Sequence, residues 1–133
     1  ETPEVAGTEF DLRELREIAP ARSDGKESFH FDHNFCLRDQ SSSLHPAADM
    51  ISTSGDLTME CWTDQPGLQF YDGKPLHVQH PGTGGFKIGS RAGICLETQM
   101  YPDFVNQTKF PQSWLAPGED YTHHTEYRFQ STK

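Results

Sequence analysis

The stretch GICLETQ, residues 93–99, alternates between two kinds of side chain, as a β-strand with one buried face does. One face would carry Gly93, Cys95, Glu97 and Gln99, and the other Ile94, Leu96 and Thr98. Small and polar side chains therefore line one side of the predicted strand, with an ionisable carboxylate at its centre. That side is the first candidate for a functional surface.

Four further stretches read as strands and are separated by turn residues. They are FHFDHNFCL (29–37), LTMECWT (57–63), LQFY (68–71) and YTHHTEYRF (121–129). Short strands at this spacing predict an all-β sandwich or barrel. Residues 40–49 (QSSSLHPAAD) are polar and contain a proline, so the sequence predicts a loop there.

One helix is predicted, over residues 8–18. Thr8 and Asp11 have the spacing of a capping box, and Pro20 follows where a helix should stop. The apolar residues that would share roughly one side of this helix are Phe10, Leu12, Leu15 and Ile18.

Composition and charge exclude several classes of protein. The 133 residues suffice for one domain, and nine Phe, four Tyr and two Trp can build a core although only 33% of residues are hydrophobic. The net charge of −9 argues against nucleic acid and anionic membrane as partners, because both need a cationic surface. No apolar run is long enough to cross a bilayer. Because the chain starts at Glu1 without a leader-like segment, we expect it to be truncated.

The three cysteines, Cys36, Cys61 and Cys95, lie in strand-like segments and lack the spacing of metal ligands. An odd number of cysteines in such segments is typical of reduced, buried thiols. The sequence therefore predicts a cytoplasmic protein.

Two carboxylates are candidates for chemistry. A carboxylate that is partly buried loses hydration, which raises its pKa towards the range useful for a general base, and Glu97 is placed for such a role. Asp32 would share a strand face with His30 and Asn34, and together they could bind hydroxyl groups. The alternatives are a solvent-facing or salt-bridged Glu97, and an Asp32 on an edge strand whose polar face merely meets water.

No metal or nucleophilic-triad site is predicted. The histidine pairs are His30 with His33, His77 with His80, and His123 with His124. None is completed by cysteine or carboxylate at the usual zinc spacing, and no Gly-x-Ser-x-Gly elbow occurs.

Four separated blocks resemble one known family in order and spacing. They are FDHNFCL (31–37), TDQPGLQFYDG (63–73), GICLETQMYPDFVNQTKFP (93–111) and LAPGEDYTHHTEYRF (115–129). In this they are similar to the aldose 1-epimerase, or galactose mutarotase, family. The segment GTEFDLR (7–13) also resembles a family motif, with Glu9 and Leu12 as departures.

The resemblance implies an antiparallel β-supersandwich, of which residues 1–133 would form the C-terminal part of a single mutarotase-like domain. It implies the interconversion of α and β anomers of hexoses such as galactose and glucose, without a cofactor. By the same resemblance Glu97 is the general base, Asp32 binds sugar hydroxyls, and Gln69 is a further contact in the sugar cleft.

The family's acid, a histidine, belongs to its N-terminal part, together with a second histidine and an arginine. This chain does not contain that part. We therefore expect the isolated chain to lack normal mutarotase activity. We also expect it to need the missing part, as the parent protein or as a second chain.

Two alternatives to the mutarotase stay open. One is a carbohydrate-binding β-sandwich that performs no chemistry, although a base at Glu97 favours the enzyme. The other is a sugar-phosphate epimerase, which would need Arg or Lys for the phosphate, and no basic cluster lies near the matched blocks. The preferred hexose and the oligomeric state are not indicated by the sequence.

Overall fold

The computed structural model describes residues 2–18 and 29–132, and in this part of the chain the regular structure is almost entirely β. The strands are β1 (Asp32–Cys36), β2 (His45–Ile51), β3 (Leu57–Thr63), β4 (Gly67–Tyr71), β5 (Cys95–Gln99) and β6 (Thr125–Ser131). One short 3₁₀ helix spans Phe104–Asn106. The all-β class that the sequence predicts is confirmed.

The six strands form two three-stranded sheets. Their strand orders are β1-β4-β5 and β2-β3-β6. In the second sheet both pairings are antiparallel, and Thr63 at the end of β3 lies opposite His45 on one side and Thr125 on the other. This arrangement agrees with the sandwich-like fold of the predicted class.

The predicted loop over residues 40–49 is wrong from His45 onward, where β2 begins. Pro46 made this segment look like a loop because proline cannot donate a ladder hydrogen bond. β2 is an edge strand, and its register with β3 shifts between Pro46 and Ala48, which marks a bulge. Edge strands and bulges are where a sheet accommodates proline.

The predicted helix over residues 8–18 is also wrong, because the segment consists of a turn followed by bends and irregular chain. The Thr8 hydroxyl donates a hydrogen bond back to the Val5 carbonyl (2.7 Å), and both carboxylate oxygens of Asp11 accept from Arg13 (2.7 Å each). This ion pair holds the pKa of Asp11 far below its ordinary value. Phe10 packs edge-on against Phe29, so a tertiary contact outweighs the local helical pattern.

The described residues fall into two compact units. The first comprises residues 2–18, 29–33 and 70–95, and the second comprises residues 34–69 and 96–132. The core of the first unit is aromatic: Phe31 stacks on Phe70 with ring centroids 5.0 Å apart, and the ring of Phe29 lies 5.1 Å from that of Phe31. Both Phe31 and Phe70 are buried.

A buried ion pair supports that aromatic core. Arg91 Nη2 lies 3.1 Å from the carboxylate of Asp72, which is 1% exposed, and also donates to the Phe29 carbonyl (2.9 Å). The backbone N–H of Asp72 donates to the Phe31 carbonyl (3.0 Å). A buried carboxylate is unfavourable without a partner, so we assign the Arg91–Asp72 ion pair a structural role in this unit.

The second unit has a more polar interior. Cys61 and Thr63 on β3 are fully buried, and Thr98 on β5 and Tyr101 just after it are also buried. The prediction of three buried thiols is right for Cys61 alone, because Cys36 and Cys95 are exposed. All three thiols are free, and burial raises the pKa of Cys61. Within residues 2–18 and 29–132 no helix has the length and apolar character that crossing a bilayer requires.

Candidate functional site

Glu97 is the middle residue of β5, and the predicted alternation of this strand is confirmed. Cys95 and Glu97 are exposed, whereas Thr98 between Glu97 and Gln99 is buried. Glu97 is therefore not partly buried in this chain, and of the alternatives that the sequence left open the solvent-facing side chain is the one observed.

Hydrogen bonds hold the residues on both sides of Glu97, through the Thr98 side chain on one side and the Leu96 carbonyl on the other. Thr98 Oγ1 lies 2.8 Å from His123 Nε2 and 2.5 Å from Thr125 Oγ1, which starts β6. On the other side the Tyr127 hydroxyl donates to the Leu96 carbonyl (2.7 Å). β5 is therefore fixed to β6 at the residues immediately before and after Glu97, and the exposed carboxylate stands on a rigid strand.

Gln69 is the middle residue of β4, the neighbour of β5 in its sheet. It is half-buried, while Leu68 and Phe70 on the opposite face are buried. At Gly67 the strands come so close that an added Cβ would lie 3.0 Å from the Gln99 carbonyl oxygen. Glycine permits this approach, so two of the predicted site residues, Gln69 and Glu97, lie on closely packed neighbouring strands of one unit.

Asp32 is the first residue of β1 and is exposed. Its backbone N–H donates to His33 Nδ1 (3.0 Å), and the His33 ring packs on Phe10 at 4.7 Å. His33 thus faces the aromatic core of the first unit, as the alternation of the strand predicts. The role of Asp32 in binding sugar stays a prediction.

Among residues 2–18 and 29–132, no three or more His, Cys, Asp or Glu side chains gather in a group that could hold a metal ion. The histidine pairs that the sequence suggested do not belong to any such group.

Sequence reasoning missed a pocket of about 740 Å³ in the second unit. Its lining residues are Gln65, Met100, Phe104, Ser113, Trp114, Leu115, Glu119, Asp120, Tyr121 and Thr122. The prolines and glycine between β5 and β6 looked like mere turn signals. The available signal was the cluster of aromatic and acidic residues in SWLAPGEDYT, residues 113–122.

A family model and individual relatives both show similarity of this chain to one family of proteins. Residues 1–128 match a family model described as aldose 1-epimerase. The chain is 42% identical over 132 residues to a galactose mutarotase of Homo sapiens, which covers 97% of this chain and 37% of that relative. It is 41% identical over 128 residues to a galactose mutarotase of Mus musculus, covering 94% of this chain and 36% of the relative.

A bacterial relative is also similar over nearly the whole chain. An aldose 1-epimerase of Escherichia coli (strain K12) is 35% identical over 130 residues, which cover 94% of this chain and 37% of that protein. The chain therefore spans little more than a third of the length of the curated relatives that it matches.

Proposed function

Because this chain belongs to the aldose 1-epimerase family, we propose that it supplies the general base of a mutarotase acting on hexoses such as galactose and glucose. The observation that carries the proposal is the exposed carboxylate of Glu97 on a strand fixed at Leu96 and Thr98. Within the same unit, Gln69 on the neighbouring strand would contact the sugar. Asp32 would bind sugar hydroxyls.

The chemistry needs two proton transfers. Glu97 would take the proton from the C1 hydroxyl while an acid protonates the ring oxygen, so that the ring opens. Rotation about the C1–C2 bond and reclosure, with both proton transfers reversed, give the other anomer. General acid–base help of this kind contributes about 10²–10⁴-fold to a rate. No oxidation state changes, so the reaction requires no redox cofactor.

The general acid would come from residues outside this chain. Those residues would also form the other wall of the sugar cleft, which stays open to solvent until the sugar itself displaces the water beside Glu97. The relatives support this division, since the chain corresponds to only 36–37% of their length.

One apolar area of the second sheet also supports a missing covering part. Phe129 on β6 is 64% exposed, and it lies opposite Met59 on the face that also carries Leu57 and Tyr127. The Tyr127 hydroxyl donates a hydrogen bond to the Leu96 carbonyl, so β5 contacts this face at Tyr127. Phe129 and Leu57 on the same face remain exposed. Exposed apolar side chains on a sheet mark a surface for packing. We propose that the remaining part of the family fold packs there.

The base is tested by Glu97→Gln in the protein that carries this chain. Polarimetry on α-galactose should show a fall of about 10²–10⁴-fold in the rate, with galactose still bound. Glu14→Gln changes an exposed residue to which the proposal gives no role, so it is the matched control and should keep the wild-type rate. A Glu97→Gln protein that keeps the wild-type rate overturns the proposal. A wild-type protein that binds galactose without accelerating mutarotation favours the alternative of a binding module.

The missing part is tested with residues 1–133 alone. We expect them not to accelerate equilibration of α-galactose above the rate in buffer, and to aggregate or unfold without cooperativity. An isolated chain that catalyses the reaction, or that melts cooperatively as a monodisperse monomer, contradicts this part of the proposal.

A further inference from the structure

The pocket between Gln65 and the segment of residues 100–122 does not have Glu97 among its lining residues. Tyr121 and Thr122, which line it, directly precede His123. His123 contacts Thr98, whose buried side chain points away from the face of Glu97. A molecule in this pocket would therefore not touch the proposed catalytic base.

Gln65 gives the pocket an unsatisfied polar group. Its side chain is 7% exposed, and its Nε2 donates to Asp64 Oδ1 (2.8 Å) while its backbone N–H donates to Thr63 Oγ1 (3.1 Å). The Oε1 atom is buried and has no hydrogen-bond partner in the described part of the chain. A buried acceptor without a donor is destabilising, so a ligand that brings a hydroxyl donor would be favoured.

Aromatic rings form the apolar part of the pocket. Trp114 is 67% exposed and Tyr121 is 58% exposed, although both are large apolar residues. The Trp114 ring is supported edge-on by Phe104, with centroids 5.8 Å apart. Aromatic side chains provide a large, stiff contact surface at low cost in conformational entropy. Such an open platform suits the flat C–H face of a sugar ring.

The charges of the pocket restrict the ligand further. Glu119 and Asp120 line it, and Glu119 Oε2 is held in place by the Ala116 backbone N–H (2.8 Å). Two carboxylates disfavour a phosphate or another anion. They also fall short of the three or more metal-ligating side chains that a metal site would gather, and no such group occurs among the residues described. A neutral ligand with several hydroxyl donors satisfies both carboxylates and Gln65.

We propose that this pocket is a second carbohydrate site, in which a neutral pyranose packs on Trp114 and donates hydroxyl hydrogen bonds to Gln65 Oε1, Glu119 and Asp120. The choice of a hexose as the ligand rests on the proposed function. The existence of the site does not depend on Glu97. A sugar bound there would not reach Glu97, so the proposed catalytic base would not act on it.

Tryptophan fluorescence tests the site, because the part of the galactose response that is lost in Trp114→Phe reports on Trp114 and not on any other tryptophan of the protein. In the protein that carries this chain, D-galactose should change the Trp114 fluorescence saturably. Galactose 6-phosphate and tetramethylammonium should bind at least about tenfold more weakly. No response to galactose, or an equal or stronger response to the phosphate or the ammonium ion, overturns the proposal.

Variants of the polar lining identify the contacts. Gln65→Leu removes the buried acceptor and should weaken galactose binding at least about tenfold, whereas Gln79→Leu, an exposed glutamine outside the lining residues, should leave binding unchanged. Asp120→Asn, at the exposed rim, should weaken binding several-fold without a risk to folding. Wild-type affinity in both Gln65→Leu and Asp120→Asn overturns the assignment.

Glu97→Gln separates this proposal from the proposed function. We expect that variant to lose mutarotation and to keep the Trp114 response. If mutarotation depends on Glu97 but galactose does not affect Trp114, the second site is wrong and the catalytic proposal stands. If Trp114 responds while Glu97→Gln keeps full activity, the second site stands and the catalytic proposal fails. A Trp114 response that Glu97→Gln abolishes would refute a separate site.

Discussion

The two sides of the strands in the second unit have opposite surroundings. On the inner side, Thr98 bonds to Thr125, and Thr125 lies opposite the fully buried Thr63 in the sheet. On the outer side, Glu97 stands exposed between the same two bonded segments. The inner hydroxyls thus fix the strand, and the outer carboxylate is left available for chemistry.

Because alternate residues of β5 face opposite sides, we expect those on the inner side to serve stability and those on the outer side to serve function. A change on the inner side removes hydrogen bonds that hold β5 to β6, and should lower the free energy of unfolding. A change on the outer side removes a group that solvent already surrounds, and should leave stability nearly unchanged. Function would depend on the outer side directly and on the inner side through position.

The largest contrast that this comparison predicts is in thiol reactivity. Cys95 is exposed, whereas Cys61 is fully buried with its pKa raised by that burial. Because Cys61 reacts only after the structure opens, iodoacetamide should alkylate Cys95 at least about 100-fold faster. Mass spectrometry of peptides from the protein that carries this chain measures both rates. Equal rates in native buffer would contradict the inner position of Cys61, and equal rates in denaturant are the control.

Thr98→Val tests the inner side with a side chain of nearly the same shape. It removes the hydroxyl that contacts His123 and Thr125, and should lower the free energy of unfolding by about 1–3 kcal/mol. Glu97→Gln, one residue away, should change it by less than about 0.5 kcal/mol. Denaturant titrations of both variants measure this difference, and a Thr98→Val protein as stable as Glu97→Gln would remove the distinction between the two sides.

The sequence predicted the strands with clear alternation and missed what depends on distant contacts. The span of β3 was predicted as it stands, because a central strand of this sheet alternates plainly over residues 57–63. β2 was missed because its proline is tolerated only through a bulge and an edge position, which are properties of the sheet. The helix over residues 8–18 was wrong because Phe10 packs against Phe29.

In the candidate site, too, the sequence predicted what depends on the local alternation of a strand and missed what depends on distant contacts. Alternation alone placed Glu97 and Thr98 on opposite faces of β5. The contact of Thr98 with His123 joins residues 25 apart in sequence, and the pocket joins Gln65 to residues 100–122, so no local pattern could indicate either. The roles of Glu97, Gln69 and Asp32 came from resemblance to the family and stay predictions.

Asp64 accepts a hydrogen bond from His124, just before β6, and its contribution to the free energy of unfolding depends on pH. Partial burial alone would raise the pKa of Asp64, but hydrogen bonds from the Gln65 side chain and the His124 backbone N–H outweigh it and lower the pKa below its ordinary value of 3.8. The stabilisation is therefore present above the unfolded-state pKa and is lost as the pH falls through the lower folded-state pKa.

Asp64→Asn should consequently reduce stability near neutral pH by less than about 1 kcal/mol, since the side chain is only partly buried. The difference from the wild type should shrink below pH 3.8. Thermal melts at neutral and acidic pH measure it, with Asp49→Asn on the exposed edge strand as the control. A difference that grows towards acid would show that Asp64 does not stabilise the fold as a carboxylate.

The smallest expected effect lies on the outer face of the second sheet. The Arg128 guanidinium carbon lies 4.1 Å from the ring centroid of Trp62, and Arg128 also pairs with Glu126 (2.6 Å). Exposed contacts of this kind contribute about 0.5–1 kcal/mol, so Arg128→Gln should lower the free energy of unfolding by about 0.5 kcal/mol and Arg128→Lys by less. Urea titrations in low and high salt measure the effect, which should diminish as salt screens the ion pair. A loss as large as that of Thr98→Val would mean that the outer face also holds the fold together, and the contrast between the two sides would then fail.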